Sequence, residues 1–328
     1  MVKVVRVHTP GGPEALQIED LAVGDPGPGE ARVKIDAIGL NRAEAMFREG
    51  KYIQPPGYPT RIGYEASGVV DALGEGVSNV SVGQRVSVLP MFQQGKYGVY
   101  AEAAIVPARA LLPAPEGLSQ VESAAIWMQY FTAMAVTEYG KAGMGDFVMI
   151  PAASSSVGLA AIQLCNWSGA TPVALTRRSG KDAALKAQGA AHVVATEEQD
   201  LVEEIQRITG GKGARIAFDP VGGPYVDTLA QALSVDGILF IYGGLSGQPT
   251  PYPHWPAAFK NLSIRGWVAS TIWNHPERFA RGEGLIRQGL KEGRLKPVVD
   301  RVFKLDDIAE AHRYLESNRQ VGKIVVEV

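Results

Sequence analysis

Two rhythms of apolar positions divide the chain. From Met1 to about Val121, short alternating runs (Val2–Val7, Ala31–Ile38, Gly68–Leu73, Gln84–Val88, Ala101–Val106) are separated by Pro and Gly clusters such as Thr9–Pro13 and Asp25–Glu30. A period of two broken at turn residues predicts a folded-over or barrel-like sheet rather than βα repeats. Asn41–Phe47 departs from that rhythm and predicts a helical turn, and the prolines of the following REGKYIQPPGYP hold it irregular, as a wall. An Ala-rich helix is expected over Glu122–Tyr139, bridging two domains.

From Phe147 strand and helix signals alternate: Phe147–Pro151, Val157–Trp167, Pro172–Leu175, Lys181–Gln188, His192–Ala195 and Glu197–Ile208. They continue through Ile216–Phe218, Tyr225–Leu233, Ile238–Tyr242 and Ser263–Val268. Six short strands with intervening helices predict an α/β doubly wound parallel sheet, with ligand at the carboxyl ends of its strands. After Ala269 come a loop with Trp273 and Pro276, a helix Arg278–Gly289, and a closing strand, helix and strand at Pro297–Phe303, Leu305–Leu315 and Lys323–Val328. The closing section fits best back on the first sheet. The expected domains are therefore 1–121 plus 269–328, and an inserted nucleotide domain over 122–268, with the catalytic site in the cleft between.

The first turn of the inserted domain is stripped of side chains. Counting back from Gly158, the three positions of a dinucleotide fingerprint hold Ala153, Ser155 and Gly158. Small residues let backbone N–H groups approach a ligand, and the helix that follows offers the positive end of its dipole to a pyrophosphate. Ala153, Ser155, Ser156, Val157 and Gly158 are thus candidate cofactor contacts. An NAD site places an acid near the end of the second strand to bind the ribose 2′-OH. Here Thr176, Arg177, Arg178 and Lys181 stand there instead. Cations and hydroxyls suit a 2′-phosphate, hence NADPH; the other reading is a solvated basic loop.

Composition narrows the partners. At 328 residues and 46% hydrophobic content, the chain can bury two cores. A formal charge of −2 and no long basic tract argue against nucleic acid. The single cysteine, Cys165, can form no internal disulfide and reads as a small buried hydrophobe. No run approaches membrane-spanning length and the start lacks a signal-peptide core, so a soluble, cytoplasmic protein is expected.

Several segments, in order, carry a family resemblance: GLN at Gly39–Asn41, FREGKY at Phe47–Tyr52, GYEASGVV at Gly63–Val70, GQRV at Gly83–Val86 and YAE at Tyr100–Glu102. FTA at Phe131–Ala133, AASSSVG at Ala152–Gly158, DPVGG at Asp219–Gly223 and GKIVVEV from Gly322 follow. The chain resembles the medium-chain dehydrogenases/reductases, and among them the zinc-independent quinone oxidoreductases of the zeta-crystallin type. The resemblance implies a Rossmann domain inserted into a GroES-like catalytic domain. Zinc-using relatives carry a Cys in the segment here reading GLNRAE and a His in GYE; this chain has Asn41 and Tyr64 near those places. With five His and one Cys scattered along the chain, no metal set is expected.

The resemblance implies NADPH-dependent reduction of a quinone or an α,β-unsaturated carbonyl. Without a metal the substrate must already be electrophilic, and the protein must offer donors to the oxygen on which charge grows. By resemblance Asn41 and Tyr52 are the catalytic candidates, Asn41 through its amide and Tyr52 through its phenol. Asn41 could instead bond the turn that it begins, and Tyr52 could be a wall. Glu65 and Arg48 are expected to form a structural ion pair. For the cofactor the resemblance adds Thr132, Val221, Gly222, Gly243 and Gly244, with Lys323 toward a phosphate; Ala195 and Thr196 stand where related enzymes often place a Tyr. Substrate-pocket candidates are Tyr64, Met91, Trp255 and Trp273, with MFQQGKYG polar and flexible; the rings could equally pack in a core or interface. A homodimer through Ser263–Val268 is implied. Two alternatives stand: a reductase of 2-alkenals or enoyl thioesters, and a non-catalytic NADPH-binding sensor or scaffold.

Overall fold

Strict alternation in EARVKIDAIG makes Glu30–Gly39 a strand with one buried face, and it is the longest strand of the first unit. The structure, a computed structural model, describes residues 1–53 and 57–328; the Gln54–Pro56 part of the expected irregular wall lies outside the described residues. Glu30–Gly39 pairs antiparallel with Glu65–Leu73, Ala103–Pro107 and the closing strand Lys323–Glu327. Arg85–Val88 and Leu111–Pro113 extend the sheet on one side, and Val299–Lys304 on the other. A small sheet of Leu16–Leu21, Val2–Val7 and Thr60–Arg61 completes the strands, two of them (Leu16–Leu21 and Thr60–Arg61) too short or too polar to register in the sequence pattern. Val5, Val33, Ile38, Val70, Val86, Leu315 and Val326 fill the core of this unit; burying each such side chain contributes roughly 1.5–3 kcal/mol.

The second unit carries six parallel strands in the order His192–Ala195, Thr171–Thr176, Phe147–Ile150, Ala214–Asp219, Leu233–Ile241 and Ser263–Gly266. Its first strand lies inside the sheet and the chain winds outward in both directions, so the strand ends diverge on either side of Phe147–Ile150. Met149, Val173, Leu175, Ile205, Leu229 and Leu239 pack in its core.

The units divide at Met1–Met128 with Pro297–Val328, and Gln129–Lys296. The second therefore extends past the expected boundary at 268. The reason is packing: Phe279 stacks on Phe131 at 5.6 Å and Trp273 meets it edge-on at 6.0 Å. A Cβ on Gly282 would stand 2.9 Å from the Phe131 ring, so the helix Pro276–Lys291 is seated closely on this unit. The helix expected over Glu122–Tyr139 is also interrupted. Ser119 and Glu122 form a capping box that starts Gln120–Ser123 early. A second helix then begins at Trp127 and ends in a π-turn over Ala135–Tyr139.

Candidate active site

The nucleotide cradle is built by backbone. After Phe147–Ile150 the chain turns through Ala152, a non-glycine residue at φ 49°, and enters the helix Ser156–Ser168. Ser155 caps that helix, its Oγ accepting from Gly158 N at 3.1 Å. Gly158 cannot be larger: a Cβ there would sit 2.6 Å from the Ala153 carbonyl oxygen. That contact holds helix and loop together and leaves the first helical N–H groups, of Ser156 and Val157, without intrahelical acceptors. Such a cradle fits a dinucleotide pyrophosphate.

Two further loops stand at carboxyl ends of the same sheet. Asp219, fully buried, accepts from Val221 N at 2.8 Å and Gly222 N at 2.9 Å, and desolvation raises its pKa. Gly222 lies at φ 62°, and Leu245 N and Ser246 N donate to the Pro220 and Val221 carbonyls, which ties the loop to Gly243 and Gly244. Gly243 is obligatory here, since a Cβ would meet Pro220 O at 2.5 Å. Thr132 is buried, and its carbonyl accepts from Trp267 Nε1 at 2.8 Å.

The basic rim after Thr171–Thr176 is partnered by acids that sequence reasoning overlooked. Arg178 Nε donates to Glu197 at 2.8 Å, and Ser179 N to Glu198 at 3.3 Å. Lys181 Nζ reaches Ser154 Oγ at 2.8 Å, which joins the rim to the cradle loop. Arg177 and Arg178 are exposed, so these cations remain open to exchange with an incoming phosphate. The signal for the acids was available: Glu197 and Glu198 directly follow Ala195 and Thr196, at the end of the adjacent parallel strand.

In the first unit a buried polar cluster surrounds Asn41. Lys323 Nζ donates to Asn41 Oδ1 and to Glu65 Oε2, each at 2.6 Å. Glu65 Oε1 accepts from Met128 N at 3.0 Å, capping the helix that begins at Trp127. Asn41 Nδ2 donates to Gly39 O at 3.1 Å and to Glu44 Oε1 at 3.2 Å. Both amide protons of Asn41 are therefore spent inside the protein. The ammonium of Lys323 fixes which way the amide points. Lys323 is likewise not turned toward a phosphate: it is 1% exposed and held between Asn41 and Glu65.

The expected pairing of Glu65 with Arg48 is also corrected. Arg48 instead donates to Glu316 and to His312 Nδ1, each at 2.8 Å, and to Gly11 O at 2.9 Å. His312 is fully buried, with its other nitrogen 3.1 Å from Tyr100 Oη, and burial pushes its pKa down to about 3.

Beside the Asn41 cluster stands a row of rings. Tyr52 and Tyr64 meet edge-on at 6.4 Å, Tyr64 and Phe92 are tilted at 6.1 Å, and Phe92 and Tyr97 meet edge-on at 6.1 Å. Burial raises the phenols of Tyr52 and Tyr64 above their ordinary pKa. The segment expected to be polar and flexible is thus structured: Gln94–Tyr97 is a helical turn, Gln94 accepts from Gly63 N at 3.1 Å, and Phe92 extends the row. Met91 is half-buried, its carbonyl accepting from Arg109. In the second unit Trp255 is 67% exposed and stacked on Phe259, while Trp273 packs on Phe131. Among the described residues no group of three or more His, Cys, Asp or Glu side chains could hold a metal ion.

Comparison with known proteins bears on both units. Residues 27–116 match the alcohol dehydrogenase GroES-like domain family, and residues 156–283 the zinc-binding dehydrogenase family. The chain is 30% identical to the human synaptic vesicle membrane protein VAT-1 homolog, over 95% of this chain and 82% of that one. It is 29% identical to a 2-haloacrylate reductase of a Burkholderia species, over 99% of each. The crystal structure of Escherichia coli quinone oxidoreductase complexed with NADPH superposes with a TM-score of 0.91 at 26% identity, covering 99% of this chain and 100% of that one. A Rossmann sheet with its side-chain-poor cradle, a GroES-like unit and these likenesses along the whole chain place the protein among the medium-chain dehydrogenases/reductases, in the quinone oxidoreductase family.

Proposed function

We propose that the protein is an NADPH-dependent reductase of a quinone or an α,β-unsaturated carbonyl that works without a metal. The observation that carries this reading is the pair of neighbouring phenols Tyr52 and Tyr64, kept protonated by burial in a row of rings that Phe92 and Tyr97 continue. Bound NADPH supplies the hydride. What the chain must then do is bind the oxygen on which negative charge collects, and hold a proton there. Tyr52 is the donor, and the Tyr64 phenol beside it is the group placed to stabilise the phenolate that forms as Tyr52 releases its proton. The rings of Tyr64 and Phe92 suit a planar conjugated substrate. Relatives named for quinones and for a haloacrylate fit one requirement, an electron-poor conjugated acceptor.

In the second unit Ser156, Val157 and Gly158 hold the pyrophosphate. Arg177, Arg178 and Lys181 take the 2′-phosphate once Arg178 exchanges its exposed partner Glu197. The strand Ser263–Gly266 has a neighbour on one side only within its sheet, and a second copy pairing there would make the homodimer. No helix among the described residues is long and apolar enough to cross a membrane.

The test is oxidation of NADPH, and of NADH as control, against benzoquinone, phenanthrenequinone, hexenal, haloacrylate and a simple ketone, with and without chelator. Turnover of the conjugated acceptors, insensitive to chelator, supports the reading. Turnover of the ketone alone, lost with chelator, overturns it, and tight NADPH binding without turnover of any acceptor moves the protein to a sensor.

A further inference from the structure

Trp267 ties a helix to the ligand edge of the second unit's sheet. It follows Gly266 at the carboxyl end of the strand Ser263–Gly266, and its backbone N–H donates at 2.9 Å to the carbonyl of Ile241, the last residue of the neighbouring strand. Gly243 and Gly244 follow just beyond Ile241. The indole is buried, edge-on to Phe240 at 6.2 Å and tilted on Tyr139 at 4.6 Å. An indole has one donor, and here it goes to the backbone carbonyl of Thr132 at 2.8 Å, in a buried hydrogen bond.

That carbonyl belongs to an irregular stretch. The helix Trp127–Met134 runs through Thr132 into the π-turn Ala135–Tyr139 instead of continuing as α-helix. Such turns are rare and recur at functional sites. Gly140, directly after the turn, lies so near the sheet that a Cβ would stand 2.7 Å from the Ile216 side chain. The stretch is therefore pinned at two places: at Gly140 by close packing on Ala214–Asp219, and at Thr132 by the Trp267 indole.

The two halves of a doubly wound sheet each take one mononucleotide. Arg177, Arg178 and Lys181 follow the strand Thr171–Thr176, on the side of His192–Ala195, and a 2′-phosphate held there marks that side for the adenosine half of NADPH. The nicotinamide half then falls to the ends of Ala214–Asp219, Leu233–Ile241 and Ser263–Gly266, the side on which Trp267 meets Thr132. We propose that Trp267 is a positioning residue for the nicotinamide half of NADPH. It acts through Thr132: the indole N–H fixes the Thr132 carbonyl, and with it the turn of helix that borders that half. The role rests on the NADPH reading of the cofactor site.

The experiment is calorimetric titration of the whole protein with NADPH and with adenosine 2′,5′-bisphosphate, which carries the adenosine end and no nicotinamide. Trp267→Phe keeps a ring between Phe240 and Tyr139 but deletes the donor, so a buried carbonyl loses its partner. It should weaken NADPH about tenfold and leave the affinity for the bisphosphate as in wild type. Tyr139→Phe, which removes a hydroxyl with no partner among the described residues, should change neither affinity. If Trp267→Phe does not fold, Tyr139→Leu replaces it: the donor stays but the ring that holds the indole goes, and NADPH alone should weaken, about threefold. A merely structural Trp267 would lower the melting temperature and shift both ligands equally or not at all, and either result overturns the proposal. If the wild-type protein binds neither ligand, the NADPH reading itself fails and the proposal with it; if both bind and the split is missing, the positioning role fails alone.

Discussion

Lys323 Nζ and Glu65 Oε2 stand 2.6 Å apart with both side chains buried, an ion pair that joins the closing strand to the strand Glu65–Leu73. Its partners are complete: Glu65 also caps the helix at Met128, and Lys323 also orients Asn41. Removing one member leaves the other charged and buried. Lys323→Met should destabilise the protein by about 3–5 kcal/mol, read from denaturant unfolding. The double variant Lys323→Met with Glu65→Leu should recover much of that loss, because no unpaired charge remains.

His312 and Glu44 make opposite contributions to stability as pH changes. His312 has its pKa lowered to about 3 from an unfolded value of about 6.5, so the unfolded chain binds more protons and stability falls as pH drops below 6.5. Glu44 has its pKa raised to about 7 from 4.5, so its contribution is largest below 4.5 and is lost as pH rises toward 7. Between about 4.5 and 6.5 the two slopes, each up to roughly 1.4 kcal/mol per pH unit, largely cancel. Melts of His312→Gln and Glu44→Gln should uncover them separately: the first loses stability with rising pH in this window, and the second loses it with falling pH.

The acids beside the basic rim make the choice of dinucleotide adjustable. Arg177→Ala and Lys181→Ala should each raise the KM for NADPH by roughly tenfold and leave that for NADH nearly unchanged, as expected for charge-assisted phosphate contacts. Glu197→Gln frees Arg178 and should tighten NADPH, which fluorescence titration of the bound nicotinamide would read. Equal losses for both dinucleotides would remove these cations from the 2′-phosphate site.

Gly158 tests the cradle by volume alone. In Gly158→Ala the new methyl meets backbone atoms of Ala153 at 2.6–2.8 Å, and backbone cannot step aside as a flexible side chain can. The expected cost is about 1–3 kcal/mol of stability, with nucleotide affinity falling further because the loop must open. Isothermal titration with NADPH, alongside a thermal melt, separates the two effects.

Much of this architecture was legible in the sequence because it rests on local periodicity. Alternation in Glu30–Gly39 and the short apolar runs from Phe147 onward identify their strands, and Gly158 with its small neighbours marks the cradle. What was not legible depends on distance. Nothing near Lys323 announces that it meets Asn41 rather than a ligand, and Arg48 finds Glu316 and His312 only because the helix Ile308–Glu316 folds back on the first unit. Glu44 is the instructive omission. It lies three residues after Asn41, a spacing that brings two side chains to one helical face, yet its burial cannot be inferred from spacing.

The closing strand Lys323–Glu327 lies between Val299–Lys304 and Glu30–Gly39, and it brings Lys323 to a partner 282 positions earlier in the chain. During synthesis Asn41 and Glu65 leave the ribosome long before Lys323, the cation that pairs with Glu65 and orients Asn41. Until then Glu65 has no counter-ion, and the growing chain has reason to keep its pocket open to water. The candidate centre is thus assembled only once the strand Lys323–Glu327 has paired with Glu30–Gly39.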